Sequence, residues 1–362
     1  MRRLFSAYTI MLLFVAMQTW AQSYDEETIP LRAKVGRGQS YSKSVPSGNY
    51  SGITWLGDDR YAVVSDKSST DGFYVFRIEI DSVKGRIRRV ENLGFRSSGL
   101  SNRDAEGIAW IPGRQTLMMV GEADSRIVEY YPDGRPTGWS VQLPSASKAQ
   151  GYESLAYDQH SRRLWTMPEQ CFLLPSSPEG REVQPSSIVP SQPLPKEEES
   201  SSFSPHPSSF MGALPLFSIS LDDIAHISEP RLYVPDAPRK KPARGRPYVY
   251  GVSEVLALGD GSLLVLEREV WMARSGMRAV VWCKLYRISP AEQPAADPMP
   301  KQLVASWKTS FPSIPPRIAN YEGMTLGPRL TDGSQTIILI ADSQNRYKGL
   351  LRDWFKVIIL RP

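Results

Sequence analysis

A five-residue phrase that recurs five times marks the positions of the acids that could do chemistry in this 362-residue chain. Four copies open on a glutamate, and every copy is followed, 13 to 20 residues later, by a second carboxylate that ends a short apolar run. The copies begin at Ser51, Glu106, Glu153, Glu254 and Glu322, and the later acids are Asp66, Glu122, Glu169, Glu267 and Asp342. The first three copies begin about 50 residues apart, and a repeat of this length indicates one supersecondary unit used several times.

The spacing predicts that these acids share one end of the fold. In an antiparallel meander, a residue entering the first strand and a residue leaving the second lie at the same edge. With Asp104, which precedes Glu106, ten carboxylates are therefore expected on one rim. Like charges this close raise pKa values unless cations compensate them.

Two kinds of cation could provide that compensation, and they imply different functions. Hard oxygen ligands without His or Cys suit Ca²⁺, and a metal beside basic residues would polarise a bound phosphate ester and deliver water to it. On this interpretation Glu106, Glu153 and Glu322 are the candidate catalytic residues, and the other seven acids are candidate metal ligands. The candidate phosphate-binding cations are Lys67, Arg103, Arg126, Arg268 and Arg346. Alternatively, the acids and bases pair with one another in a structural network, and the protein is a non-catalytic propeller that binds a ligand, glycan or protein partner.

The elements that would position these residues are short β-rich runs separated by turn signals. Each phrase opens a set of about four runs, which is typical of one blade of a β-propeller. The sequence therefore predicts an all-β fold with five visible blades, and it leaves a degenerate sixth open. The fourth blade is predicted to comprise Val255–Leu258, Ser262–Leu266, Val280–Ile288 and Gln302–Trp307.

Two further segments complete the predicted domain, which spans residues 48–361. The fifth blade is one strand short, so a strand from the 22–47 segment, around Ile29–Val35, is expected to close the ring and remove an exposed edge. Residues 174–209 are rich in Pro, Ser and Glu, and such a composition predicts a disordered surface loop inside the third blade.

The N-terminal residues and the net charge limit the classes of protein that the sequence fits. Residues 1–21 match a signal peptide, with Arg2 and Arg3 before an apolar stretch and a small-x-Ala site at Thr19 to Ala21. Polar residues interrupt that stretch, so a stable membrane anchor is not expected. We expect export to the periplasm or the medium instead. The net charge of +5 gives no case for nucleic acid. The basic run 239–246 contains Pro and Gly and is interpreted as a solvated loop.

Nucleophilic chemistry has little support in the sequence. The chain contains no Gly-x-Ser-x-Gly elbow, and its three histidines lie outside any recognisable motif. Cys171 and Cys283 are the only cysteines, and a disulfide between them or two separate thiols remain equally open. Trp55, Trp110 and Tyr157 recur at one position of the phrase, where packing between blades explains them.

Three of these stretches together resemble a known family. They are Asp104-Ala-Glu-Gly-Ile-Ala-Trp110, Asn320-Tyr-Glu-Gly-Met324, and Ser51-Gly-Ile-Thr-Trp55 followed by Tyr61-Ala-Val-Val-Ser-Asp66. They resemble the exported phytase-like family called "esterase-like activity of phytase". The resemblance implies a β-propeller, phosphoester hydrolysis of a small phosphorylated substrate and a possible need for Ca²⁺. Ser51 departs from the pattern, which argues against a fully symmetric ring of metal ligands.

Overall fold

The fold is a ring of five antiparallel sheets, seen in a computed structural model that describes residues 31–144, 151–170, 212–222, 227–290, 297–313, 317–344 and 351–361. The first sheet comprises β3 (Tyr50–Gly57), β4 (Arg60–Ser65), β5 (Thr70–Ile80) and β6 (Ile87–Ser101). The second comprises β7 (Ala105–Ile111), β8 (Thr116–Gly121), β9 (Arg126–Tyr130) and β10 (Pro136–Gln142). In both sheets the strands pair in chain order, as in a propeller blade.

The other three sheets repeat this meander. The third comprises β11 (Ala156–Asp158), β12 (Arg163–Thr166), β13 (Leu214–Ser220) and β14 (Arg231–Tyr233). The fourth comprises β15 (Tyr248–Ala257), β16 (Leu263–Met272), β17 (Ala279–Ile288) and β18 (Gln302–Phe311). The fifth comprises β19 (Asn320–Arg329), β20 (Gln335–Asp342) and β21 (Trp354–Arg361). The predicted five-bladed all-β propeller is confirmed, and the described residues contain no sixth sheet.

An N-terminal segment closes the ring, as predicted. Strand β1 (Arg32–Val35) and the short β2 (Gln39–Ser40) both pair with β21. The kink between them is held by two hydrogen bonds, from the Gly36 amide to the Val357 carbonyl and from Lys356 Nζ to the Gly36 carbonyl, both 2.8 Å long. Closure therefore covers the outer edge of the last strand, which would otherwise be free to pair with another chain.

The core lies between the blades, because alternate side chains of each strand face a neighbouring sheet. Five clusters of buried apolar residues fill these spaces, and one of them joins the fourth blade to the fifth through residues such as Leu266, Val281 and Ile337. Among the described residues, no helix is long and apolar enough to cross a membrane. The described part of the chain does not include the predicted signal peptide (1–21), the Pro/Ser-rich segment (174–209) or Cys171. Cys283 is a buried free thiol.

The fourth blade is longer than predicted. Each of its four strands has ten residues, whereas the four strands of the second blade have seven, six, five and seven. Strand β15 begins at Tyr248, before the predicted run, and strand β16 continues to Met272, beyond the predicted run. The extension was missed because its residues read as separate short apolar pieces interrupted by charged ones.

Candidate active site

The glutamate of the repeated phrase forms a β-bulge. In β7 the pairing moves from Ala105 opposite Gly121 to Gly107 opposite Val120, so Glu106 is an extra residue in its strand. Glu322 is the extra residue of β19 in the same way. A bulge redirects a side chain, and both glutamates line one cavity of about 460 Å³.

That cavity gathers most of the predicted rim. Seven carboxylate residues of the described part line it, and the cations among its lining are Lys67 and Arg268. The acids come from the first, second, third and fifth blades, and they are Asp66, Glu106, Glu122, Glu153, Glu169, Glu322 and Asp342. We call this space the acidic cavity. The sequence therefore predicted correctly that these side chains meet, because they occupy equivalent strand ends.

The fourth blade differs from the others by one residue. Its bulge falls at Ser253, because Val252 lies opposite Glu267 and Glu254 lies opposite Leu266. Gly251 then pairs with Arg268, as Asn320 pairs with Asp342 in the fifth blade.

Ser253 and Arg268 of the fourth blade thus take the positions that a glutamate and an acid hold in the second, third and fifth blades. The fourth blade supplies a cation to the cavity instead of two acids. Ser51 holds the equivalent bulge position in the first blade, and the sequence already showed a serine there in place of the glutamate.

The predicted roles of Glu254 and Glu267 at the cavity are corrected by this register. Glu254 is buried outside the cavity lining and accepts backbone hydrogen bonds from Leu155, Val255 and Met324, which belong to three blades. Glu267 points to the opposite face of β16 from Arg268, where Tyr233 donates to it at 2.7 Å and Lys301 at 2.6 Å. A shift of one residue reverses the face that a side chain occupies, so both acids serve packing.

Two of the predicted phosphate-binding arginines also lie outside the cavity lining. Arg103 Nε donates to the buried Asp71 at 3.1 Å, and its Nη1 donates to Asp124 at 3.1 Å, so it links the first blade to the second. Arg126 is exposed, and its Nε donates to Gln142 at 3.4 Å. Arg346 lies outside the described residues.

Arg268 is enclosed by acids on one side of the cavity. Its Nη2 donates to Glu169 at 2.5 Å and to Glu153 at 3.3 Å, while Nη1 donates to Glu322 and to Asn320, the latter at 3.0 Å. The arginine side chain is 4% exposed. The two terminal nitrogens of the guanidinium are thus occupied by three acids and one amide, and only Nε, which is buried and has no hydrogen-bond partner among the described residues, is left over.

Lys67 holds the acids on the opposite side of the cavity. Its Nζ lies 2.8 Å from Asp66 and 3.4 Å from Asp104, and more than half of its side chain is exposed. One oxygen each from Asp66, Asp104 and Glu106 lie within 4.8 Å of one another. Asp104 is held in this group by a left-handed backbone (φ 59°) and by its amide, which donates to Asn102.

Burial and mutual repulsion perturb the acids of the cavity. Burial raises the pKa of Glu106 and of Glu153 well above the usual range, and the charges of Glu322 and Glu169, respectively, add to this. Burial raises the pKa of Glu322 to about 8 although Arg268 opposes the shift, and it raises the pKa of Asp342 to about 6 although the Gln344 amide opposes it. Burial and mutual repulsion thus favour the protonated form of these acids, and perturbed acids of this kind are typical of functional sites.

Sequence reasoning missed the polar partners that orient these acids. Asn320 donates to Glu322 at 2.7 Å and accepts from Arg268, and the Gln344 amide donates to Asp342 at 2.7 Å. Both flank an acid by two residues in sequence, which is a signal that could have identified them. The apolar residues that line the rest of the cavity, such as Val270 and Met272, lie two and four residues beyond Arg268 on the same strand face.

Comparisons with known proteins place the chain in a family. Solved structures with a similar fold include a streptogramin B lyase (11% identity, TM-score 0.36, covering 92% of this chain and 99% of that chain). Another is an endo-arabinase from Bacteroides thetaiotaomicron, with 12% identity and a TM-score of 0.43 over 91% of this chain and 98% of that chain. A third is a luciferin-regenerating enzyme, with 10% identity and a TM-score of 0.39 over 90% of this chain and 95% of that chain. At these identities the likeness concerns the fold alone, and no curated protein matches the chain. A sequence model described as "Phytase-like: Esterase-like activity of phytase" matches residues 45–344, so the chain belongs to this phytase-like family.

Proposed function

We propose that this protein is an exported, periplasmic or secreted hydrolase, a metal-dependent phosphoesterase that acts on a small phosphorylated substrate in the acidic cavity. The observation that carries the proposal is the charge balance of the cavity, where seven carboxylate residues face two cations. A phosphate ester is an anion and would be repelled by such a surface. A bound divalent cation removes that repulsion, and membership of the phytase-like family supports the same chemistry.

The residues best suited to hold Ca²⁺ are Asp66, Asp104 and Glu106. Their oxygens lie close enough together to share one ion, and carboxylate oxygens are the ligands that Ca²⁺ prefers. Glu122 lines the cavity, and besides burial the charges of Asp104 and Asp66 raise its pKa, so it lies close enough to these acids to add a further ligand. When bound, the ion would supply polarisation of the phosphoryl group and a more acidic water.

Lys67 would change partners when a cation binds. Its ammonium now neutralises Asp66 and Asp104, two of the three candidate ligands. Its side chain is largely exposed and flexible, so it can leave these acids and bind a phosphate oxygen instead. This assigns Lys67 to the substrate, while Arg268 keeps its place among Glu153, Glu169 and Glu322.

Proton transfer falls to the perturbed carboxyl groups. Asp342, with a pKa of about 6, is mostly ionised at neutral pH and can accept a proton from the attacking water. Burial and the charge of Glu169 raise the pKa of Glu153 well above the usual range, which favours its protonated form, so Glu153 can donate a proton to the departing alcohol. Water adds to phosphorus, the bond from phosphorus to the alcohol oxygen breaks, and solvent returns the proton from Asp342 to Glu153.

The test combines turnover with a separate measurement of metal binding. Purified protein lacking residues 1–21 is assayed on phosphomonoesters and phosphodiesters with Ca²⁺ and with chelator, and its melting is followed under the same conditions. We expect Ca²⁺-dependent turnover and, at free Ca²⁺ near 100 times Kd, about 2.7 kcal/mol of added stability. Glu106→Gln should lose both effects, whereas Glu91→Gln, on the surface of the first blade, should keep both. Absence of turnover together with absence of a melting shift would overturn the proposal.

One observation favours a second candidate, a non-catalytic propeller that binds a ligand, glycan or protein partner. Arg268 donates hydrogen bonds to Glu153, Glu169, Glu322 and Asn320, so these acids already have a cationic partner within the protein. This half of the cavity has the character of a structural salt-bridge network. If the whole cavity had that role, acid-to-amide changes would alter stability and leave partner binding intact.

A further inference from the structure

One side of the acidic cavity is an apolar wall built by the extension of the fourth blade. Beyond Arg268, the register aligns two rows of side chains across the sheet. The first row is Val249, Val270 and Val281, and the second is Met272, Ala279 and Phe311. All six line the cavity, and we call them the apolar wall. At about 3.3 Å per residue, the backbone of the second row lies about 13 Å along the strand from that of Arg268.

Strand alternation explains why this face is apolar and open. Arg268, Val270 and Met272 share one face of β16, while Glu269 and Trp271 share the other. Five of the six wall residues, all but Val249, belong to the core between the fourth and fifth blades or pack against it, so the core opens directly into the cavity. Val270, Met272 and Phe311 keep part of their surface accessible to a ligand.

The opposite face of the extension packs against segment 235–247, which contains the basic run 239–246. Glu269 accepts hydrogen bonds of 2.8 Å from the Arg239 and Lys240 amides, and Trp271 donates to the Lys241 carbonyl at 3.2 Å. The backbone of this segment thus packs on the blade, although its basic residues are exposed. The wall is therefore supported from behind and can form a preformed binding surface.

We propose, on the basis of the function proposed above, that the substrate is a phosphate ester of an apolar alcohol, with its alkyl or aryl group on the apolar wall and its single phosphate over the acids. The two surfaces meet at Arg268, so one molecule can contact both. The cavity volume of about 460 Å³ falls within the range of small-molecule sites. Apolar contact with the wall would supply binding energy that the phosphate alone does not have.

The same geometry disfavours a highly phosphorylated polyol. Within the described lining, the wall rows carry no hydrogen-bond donor side chain, and the cations Lys67 and Arg268 lie on the acidic side. Each additional phosphate would face either carboxylates or the wall, where its desolvation would be uncompensated. This chain is therefore specialised away from inositol hexakisphosphate, although its family is named after phytase.

The test compares hexyl phosphate, glycerol 3-phosphate and inositol hexakisphosphate in the presence of Ca²⁺. The first two release primary alcohols of comparable reactivity, so a difference in kcat/KM reports on recognition. We expect hexyl phosphate to exceed glycerol 3-phosphate by at least about tenfold and the hexakisphosphate to be the poorest substrate. Equal kcat/KM values for the first two, or preference for the hexakisphosphate, would overturn the inference while leaving the phosphoesterase proposal intact.

Wall variants provide the matched control. Met272→Ser should lower kcat/KM for hexyl phosphate by about tenfold and leave glycerol 3-phosphate nearly unchanged. Val270→Thr, which preserves the shape of the side chain, guards against misfolding and should show the same direction. Met277→Ser in the turn that follows Met272 changes the same residue type at a position 71% exposed, and it should have no effect. Equal effects of the Met272 and Met277 changes would count against the wall.

A binding measurement separates this inference from the proposed activity. Hexylphosphonate cannot be hydrolysed, and its binding with Ca²⁺ can be followed by calorimetry even if no ester is turned over. Tighter binding than methylphosphonate by at least about tenfold, lost in Met272→Ser, would support the wall with or without catalysis. Equal affinities of the two phosphonates would overturn it.

Discussion

At the residue scale, the cavity divides into an arginine-centred half and a lysine-centred half. Arg268 is buried and bound by three acids, whereas Lys67 is exposed and bound by two. Removing one member of a buried ionic cluster leaves uncompensated charge, but removing a surface pair costs little. The two cations, which look alike in the sequence, therefore differ in what they contribute.

Arg268→Met tests the structural role of the arginine. We expect it to lower the free energy of unfolding by about 3 to 5 kcal/mol at neutral pH, because the buried acids Glu153, Glu169 and Glu322 lose the cation that donates hydrogen bonds to them. Urea denaturation measures this loss. Arg126→Gln is the control, since Arg126 is exposed, and it should change stability by less than about 0.5 kcal/mol. A comparable effect of both changes would refute the network.

The raised pKa values predict a pH dependence of stability in the absence of metal. Glu322, with a pKa of about 8 in the folded chain, binds more protons there than in the unfolded chain between about pH 4.5 and 8. Stability should therefore be greatest at the acidic end of this window and fall by a few kcal/mol as pH rises through it. Melting in chelator at pH 5 and pH 8 measures this slope. Glu322→Gln should flatten it, and an unchanged slope in this variant would contradict the assignment.

At the element scale, glycines allow the inner strands to approach one another around the cavity. A Cβ on Gly323 would lie 2.4 Å from the carbonyl oxygen of Ser51 in the adjacent inner strand. Gly107 similarly lies against Ser154 and Leu155 of the next blade. The Glu-Gly pairs of the phrase thus combine a bulge that aims the acid with a glycine that permits close strand packing.

Gly323→Ala measures the importance of that approach. We expect a loss of about 1 to 3 kcal/mol, because the backbone of a neighbouring blade must move to admit a methyl group. Gly113→Ala offers a control in the β7–β8 turn, where an added Cβ meets no atom within 4 Å. Chemical denaturation of the two variants compares them directly. If Gly323→Ala is as stable as Gly113→Ala, close packing of the inner strands is not required.

At the scale of the whole molecule, stability depends on closure of the ring. The segment from β1 to β2 pairs along both ends of β21 and is joined to it by Lys356. Without this segment, the last strand of the fifth blade presents an unpaired edge. The site lies where all the blades meet, so opening the ring would also disturb the relative positions of its acids.

Deleting residues 1–40 removes both closing strands. We expect a loss on the order of 3 kcal/mol from the four residue pairs of β1, together with oligomers from edge pairing. A chain that begins at Gln22 keeps both strands and should remain stable. Thermal melting and size-exclusion chromatography distinguish the two forms. A fully stable, monodisperse 41–362 chain would show that closure is dispensable.

The sequence by itself determined the repeat, the five blades, the closing strand and the group of acids at one rim. These features follow from local patterns, since alternation, turn residues and spacing fix strands and the ends at which residues emerge. Only the tertiary structure decided that Glu254 and Glu267 leave the cavity, that Arg268 pairs with three of its acids, and that an apolar wall faces the acids. The reason is register: a bulge displaced by one residue turns a side chain to the other face of its strand, and that displacement is set by contacts with neighbouring strands.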